Sequence, residues 1–327
     1  MGLEQRVLSL LVRFDFVWNG WHMTLYIVDE TFDRGLFAGS SCAFGVFDGL
    51  HTGHRYLIDQ AVSAKTQGAR AIAITFDIDP DEVFHPDRLK KLMRNADRLE
   101  ALEASGVDDV VVFPFTEELF SKQPKEFLES AFSKGVPAQL HVGEDFRFGA
   151  RAAGTVETLR EWGSEAGCQI HPHHLVSADG APITATRIRL LLLDCKLDEA
   201  TRLLGHPYAL RETVHPGRGE GTNFGFATAN LRVKPHDRVL GEGVYAAYAT
   251  VDGARYKAAV SVGVSPTFEA TSTADMEVHI LDFEGDLVGR DVTVEFVKFL
   301  RPMIKFDSTE ELISTVMGNI QWVRDNL

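Results

Sequence analysis

Short unbroken apolar runs alternate with helically spaced apolar positions through the first half of this chain. The run CAFGVFDG (42–49) has the bulk of a buried strand, supplied by Phe44, Val46 and Phe47. It turns through Gly49 into His51, Thr52, Gly53 and His54. RYLIDQAVSAKTQG follows, with Leu57, Ile58, Ala61 and Val62 at helical spacing. ARAIAITFD predicts a second buried strand and DIDPDEVFHPD an irregular acidic loop. DRLKKLMRNADRLEALEASG predicts one helix with a glycine stop, and DDVVVFPF a third strand. PKEFLESAFSKG, QLHVGEDFRFG, TVETLREWGSEAG and CQIHPHHLV continue the alternation of helix and strand. Strands separated by helical segments of this length predict an α/β doubly wound parallel sheet, which binds ligands at the carboxyl ends of its strands. The histidine loop, the acidic loop and the GEDFRFG turn should share that edge.

Near residue 183 the pattern changes. ITATRIRLLLLDCKLDEATRLLG predicts a helix ending at Gly205, and short alternating strands follow: TVHPG, FATANLRV, GVYAAYATV, ARYKAAVSVGV, MEVHILDF and DVTVEFVKFL. Turn pairs such as Asp252-Gly253 separate some of them, which predicts a small closed antiparallel β-barrel. Ser308 followed by Glu311 starts a C-terminal helix whose Leu312, Val316, Ile320 and Val323 would pack on that barrel. The boundary between the two architectures is expected near 205–210.

A length of 327 residues fits two such domains better than one core. The formal net charge of −14 argues against a nucleic-acid partner, which calls for a basic face. Cys42, Cys168 and Cys195 form no disulfide framework and fit a reducing, cytoplasmic setting. The opening VLSLLVRFDFVWNGW is interrupted by Arg13 and Asp15, lacks a small-residue cleavage site and is too short to span a membrane. Residues 1–22 are therefore expected to be an extension without a catalytic role, with Met23 as a natural start.

The histidine loop carries the first chemistry. A helix mouth exposes backbone N–H groups and the positive end of the helix dipole, which suits a phosphate, and two histidines at i and i+3 add donors. Taken alone, the pair could equally be solvated residues or a chance metal pair, although no third zinc ligand sits at a familiar spacing. Gly143 to Gly149 (GEDFRFG) puts a carboxylate and an arginine at a strand end. Ile183 to Arg189 (ITATRIR) puts two hydroxyls and two guanidiniums at a helix start. FGVFDGLHTGH, GEDFRFG and ITATRIR, in this order, resemble the three motifs of the FMN adenylyltransferase domain of the bacterial bifunctional riboflavin kinase/FAD synthetase family.

That resemblance implies a Rossmann-like nucleotidyltransferase domain over 23–205 that transfers AMP from ATP to FMN, giving FAD and pyrophosphate. It implies catalytic contacts to the ATP phosphates from His51 and His54. Gly45, Phe47, Asp48, Gly53, Thr184, Thr186, Arg187 and Arg189 would line the phosphates, and Asp145 and Arg147 the flavin. Two departures from the family pattern stand out: Ala185 replaces a hydroxyl, and Thr75 to Pro80 (TFDIDP) is more acidic than the usual loop.

GRGEGTNFGFATANL (217–231) is similar to the same family's kinase signature, with Ala227 where proline is usual and Thr222 near an expected arginine. GVSPTF (263–268), MEVHILDF (276–283), Leu300-Arg301-Pro302 and Lys305-Phe306-Asp307 complete the family's order, with Val288 and Met303 as further departures. The resemblance implies riboflavin phosphorylation over 206–327. Thr228 and Asn230 would hold Mg²⁺ and phosphates, Gly217 and Gly225 the ATP, Arg301 the flavin, and Glu277 would be the base. The implied partners are ATP, riboflavin, FMN and FAD, with no nucleic acid and no membrane. Two further readings compete: FAD synthesis alone beside a silent kinase half, and a flavin-responsive binding protein on the same scaffold.

Overall fold

The computed structural model describes residues 13–18, 21–85, 90–217, 226–233, 239–263 and 274–327. They form two compact units, one of residues up to 85 with 94–183, the other of 90–93 with 184–327. In the first unit, strands β1 (Arg13–Trp18), β2 (Trp21–Ile27), β3 (Ser41–Phe44), β4 (Ala71–Phe76), β5 (Asp109–Phe113), β6 (Gln139–Gly143) and β7 (Gln169–His173) make one sheet. Their order is β1-β2-β5-β4-β3-β6-β7. From β2 to β7 every pair is parallel, and β1 pairs antiparallel with β2 at the edge. The expected N-terminal extension thus supplies the backbone of an added edge strand.

Every residue of β3, β4 and β5 is buried, as continuous apolar runs require when helices cover both faces. Helices α1 (Thr52–Ala64), α2 (Pro80–Phe84), α3 (Asn95–Glu103), α4 (Glu117–Phe120), α5 (Pro124–Ala131) and α6 (Val156–Ala166) alternate with these strands. The core joins Phe44, Ile72, Ile74, Val111 and Leu140 from the sheet to Phe127, Leu128 and Leu159 from the helices. Strand order reverses between β3 and β6, the position where doubly wound sheets open a crevice at their carboxyl ends. The single helix expected over DRLKKLMRNADRLEALEASG is shorter. Arg94 is extended (φ −65°, ψ 152°) and grips Asp97 at 2.9 Å, so α3 begins only at Asn95. At the far edge, β7 carries Pro172 in register with Val142. A two-residue hairpin, β8 (Ser177–Ala178) with β9 (Ala181–Pro182), completes the unit.

The second unit opens with α7 (Ala185–Leu193) and α8 (Leu197–Leu204), where one continuous helix was expected. Cys195 adopts a left-handed conformation (φ 58°), and the N–H of Lys196 turns back to the carbonyl of Leu191, which closes the first helix. Strands β10 (Tyr208–His215), β11 (Ala229–Val233), β12 (Gly243–Val251), β13 (Ala254–Val262), β14 (Ala274–Ile280) and β15 (Asp291–Arg301) form the closed barrel β10-β11-β14-β13-β12-β15. All its strand pairs are antiparallel. Leu197, Ala200, Leu203 and Leu204 bury the apolar face of α8, which packs on β10 and β15. Helix α9 (Thr309–Asn326) is capped by Ser308, whose Oγ accepts from Glu311 N at 3.1 Å. It buries Ile320 and Val323 against Phe226, Ala259 and Leu281, with Ile313 and Val316 partly covered.

Candidate active sites

The chain leaves β3 through a cramped turn. Phe47 (φ 61°) and Leu50 (φ 36°) are both left-handed and wholly buried, with Gly49 (φ 70°) between them. The turn ends at His51, which caps α1: its Nδ1 accepts from the His54 N–H at 3.3 Å. With Nδ1 accepting, the proton of the neutral His51 ring sits on Nε2. The His54 ring stacks on His51 with centroids 3.6 Å apart, and Phe47 meets His54 edge-on at 5.4 Å. Burial first, then the neighbouring His51 and Arg98, hold the His54 pKa well below the ordinary histidine value. His54 therefore enters neutral solution uncharged, and its Nδ1 has no partner among the described residues. Gly45 and Gly53 make room for these rings. A Cβ on Gly53 would lie 3.2 Å from His51 Nδ1, and one on Gly45 3.1 Å from the Phe47 ring.

At the end of β6, alternation turns Phe146 and Phe148 inward, Phe146 against Phe44 at 4.9 Å. Asp145 and Arg147 are exposed, and Arg147 donates to the Phe146 carbonyl at 3.2 Å. Glu144 makes the ion pair at this turn. It accepts from Leu175 N at 3.1 Å and meets His174 at 2.7 Å, and these bonds lower its pKa. Thr184 spends an oxygen lone pair as the N-cap of α7, accepting from Arg187 N at 3.2 Å. Thr186 is exposed on the first turn, while Arg187 and Arg189 are half-buried.

The acidic loop after β4 uses most of its carboxylates internally. Asp77 accepts from the N–H groups of Ile78 and Phe115, each at 2.8 Å, and Asp79 caps α2. Glu82 accepts from Asp79 N at 3.0 Å and Asn95 Nδ2 at 3.2 Å. The residue that sequence reasoning passed over is Arg98 on α3, buried at the junction of this loop with the histidine loop. Its signal was available: an arginine beside Leu99 and four residues before Leu102, on the face that α3 turns to the core.

In the barrel, Asn230 pairs with His215 on one side and Glu277 on the other, and Glu277 pairs with Ser261. These four residues form one cross-strand row. Met276, Val278 and Ile280 are buried while Glu277 is exposed, as the alternation predicts; Leu281 lies past the strand end and turns into the core under α9. Asn230 Nδ2 donates to the Thr228 carbonyl at 3.5 Å, and His279 Nδ1 donates to the Ala227 carbonyl at 2.9 Å. Gly217 lies against Asn230 so closely that a Cβ would stand 1.9 Å from its Nδ2, so a side chain there would displace the Asn230 amide. Arg301 donates to Asn319 on α9 at 3.0 Å, and burial lowers its pKa. Gly225, Thr222 and the SPTF stretch (265–268) lie outside the described residues.

Both halves of the sequence match family profiles: FAD synthetase over residues 36–187 and riboflavin kinase over 204–327. A bifunctional riboflavin kinase/FMN adenylyltransferase of Pseudomonas fluorescens is 31% identical over 288 residues, covering 88% of this chain and 92% of the relative. The enzyme so named in Escherichia coli K12 is 32% identical over 278 residues, covering 84% and 88%. A crystal structure from Streptococcus pneumoniae, described as a macrolide-efflux protein, superposes with a TM-score of 0.80 at 28% identity, over 93% of this chain and 99% of that one. Among the described residues no helix is long and apolar enough to cross a membrane. Two profiles in the order of the two units, and relatives aligned along nearly their whole length, place this chain in the bifunctional riboflavin kinase/FMN adenylyltransferase family.

Proposed function

We propose that the chain catalyses two ATP-dependent reactions: riboflavin is phosphorylated to FMN in the barrel portion (206–327), and FMN is adenylylated to FAD in the portion spanning 23–205. The observation that carries this reading is the stack of His51 and His54 at the mouth of a thirteen-residue helix. Imidazole N–H groups, the amides at the start of α1 and its dipole suit the phosphates of a nucleotide. A phosphate oxygen of FMN attacks the α-phosphorus of ATP, and the bond to the β-phosphate oxygen breaks to release pyrophosphate. No covalent enzyme intermediate is needed, so the protein's work is positioning and charge stabilisation. Thr186, Arg187 and Arg189 steady the pyrophosphate, and the exposed Asp145 and Arg147 meet the nucleotide and flavin.

In the kinase reaction the ribityl hydroxyl attacks the γ-phosphorus, ADP leaves, and Glu277 accepts the hydroxyl proton. Asn230 and Thr228 offer the hard oxygen donors that Mg²⁺ prefers, and the absence of a side chain at Gly217 leaves the Asn230 amide unobstructed. Mg²⁺ arriving with ATP would neutralise phosphate charge there. Arg301, fixed by Asn319, is the flavin-side cation.

The test is to incubate the pure protein with ATP, Mg²⁺ and either riboflavin or FMN, and to separate the flavins. Riboflavin should give FMN and then FAD, and FMN should give FAD. His54→Ala should remove only the second conversion. A folded His54→Ala protein that lost both would sink the two-site assignment, and wild-type protein that binds flavin without converting it would make this a binding protein.

A further inference from the structure

Arg98 is the largest fully buried side chain among the described residues, only 1% exposed. Its Nη1 donates to the Val46 carbonyl and to Thr75 Oγ1, both at 2.6 Å, and its Nη2 to the Phe76 carbonyl at 2.7 Å and the Asp77 carbonyl at 3.4 Å. Thr75 Oγ1 passes its own proton to the same Val46 carbonyl at 3.2 Å. One guanidinium thus ties the loop after β3 to the end of β4. Burying a charge costs several kcal/mol unless something compensates it. Here the field of Asp48, Asp79, Glu82 and Asp77 opposes the downward pull of burial on the Arg98 pKa. Two of these four, Asp77 and Asp79, lie in the stretch that makes the post-β4 loop more acidic than the family pattern. Asp48 and the carboxylates of that loop together are the countercharge of Arg98.

The carbonyl that Arg98 holds belongs to the peptide leading into Phe47. A left-handed bulky residue costs about 1–2 kcal/mol and persists only where its surroundings over-determine it. Phe47 in turn packs edge-on against His54. We propose that Arg98 is a positioning residue for adenylyl transfer: it fixes the Val46–Phe47 peptide in its strained conformation, so that Phe47 seats the stacked His51 and His54. This rests on the assignment of the histidine stack to adenylyl transfer. Arg98 itself is sealed from any ligand and acts only through these groups.

The test uses the full chain. Arg98→Met removes the fork and the charge, and FAD formation from FMN should lose roughly 10-fold or more in kcat. Riboflavin phosphorylation in the same preparation should stay within about twofold, since it uses the other unit. Arg98→Lys keeps the charge without the fork and should lose kcat as well. Ring NMR of labelled histidine separates positioning from charge: His54 should titrate at higher pH in Arg98→Met than in the wild type, and stay low in Arg98→Lys. If Arg98→Met does not accumulate as folded protein, Arg98→Lys and Thr75→Val decide, because Thr75→Val removes the bridging hydroxyl at nearly constant shape. Wild-type kcat for FAD formation in both of these, while His54→Ala abolishes it, overturns the role of Arg98. Full FAD formation by His54→Ala instead overturns the histidine assignment beneath it.

Discussion

Replacing Glu277 with glutamine keeps the size of the side chain and its hydrogen bonding but removes its capacity to take a proton. FMN formation should then fall by roughly 10²-fold, while FAD formation from supplied FMN persists; separation of the flavin products checks both. A folded variant with the wild-type kinase rate would leave Glu277 as an exposed carboxylate on β14. Gly53→Ala probes the other site. Its Cβ would sit 3.2 Å from His51, close enough to push the ring from its cap on the His54 N–H. Inside a helix alanine normally gains about 0.5–1 kcal/mol over glycine, so lost FAD formation at an unlowered melting temperature would identify crowding of the ring as the cause. Unchanged FAD formation would show that the ring has room to shift. The histidines and their glycine were legible because they act through a local turn. The neutrality of His54 was not, since it comes from burial, from His51 beside it and from Arg98 on a distant helix. The partner of Glu144 was illegible for a similar reason: it is His174, brought alongside by the pairing of β6 with β7.

At the scale of an element, β6 and β7 share a ladder of histidines that no local pattern announces. His141 Nδ1 lies 2.9 Å from His173 Nε2, and the His141 ring stacks on His171 and His173 at 4.8 and 5.2 Å. Ser41 of β3 stands 3.4 Å from His141, and Tyr56 of α1 meets His173 edge-on at 5.7 Å. Burial, then the neighbouring rings, push the His141 pKa down to about 4, and His173 is lowered too. In the unfolded chain both return to about 6.5. Between these values the unfolded state binds more protons than the folded one. The ladder's contribution to stability is therefore complete above about pH 6.5 and is lost as pH falls toward 4. Urea midpoints should drop between pH 7.5 and 5, and less in His141→Val; an equal drop in both would clear the ladder of responsibility. The break between α7 and α8 was likewise illegible, because apolar spacing runs on through Asp194 to Lys196 and only the left-handed Cys195 ends the helix. Strands such as β15 were readable, since their period-two burial is written residue by residue, whereas β10 starts at Tyr208, ahead of the TVHPG run.

For the whole molecule, two boundaries differ. The sequence changes from helical to strand spacing at Gly205, whereas packing divides the chain between Ile183 and Thr184. The apolar stripe of α8 shows that it must be buried but not in which core. A fragment of residues 184–327 should consequently be more stable than one of 206–327. Each of Leu197, Leu203 and Leu204 contributes roughly 1.5–3 kcal/mol by burial. Thermal denaturation of the two fragments reads the difference, and equal midpoints would mean that α8 adds nothing to the barrel.

The two sheets also differ in how they stop. The barrel closes on itself and offers no edge, but the parallel sheet must end, and it ends at β7. Gln169 N reaches back to Ala138 and the His173 carbonyl accepts from Glu144, so the odd positions of β7 serve β6 and Pro172 between them faces outward. Proline has no N–H to offer a passing strand. That single missing proton interrupts the template on which a second chain could dock.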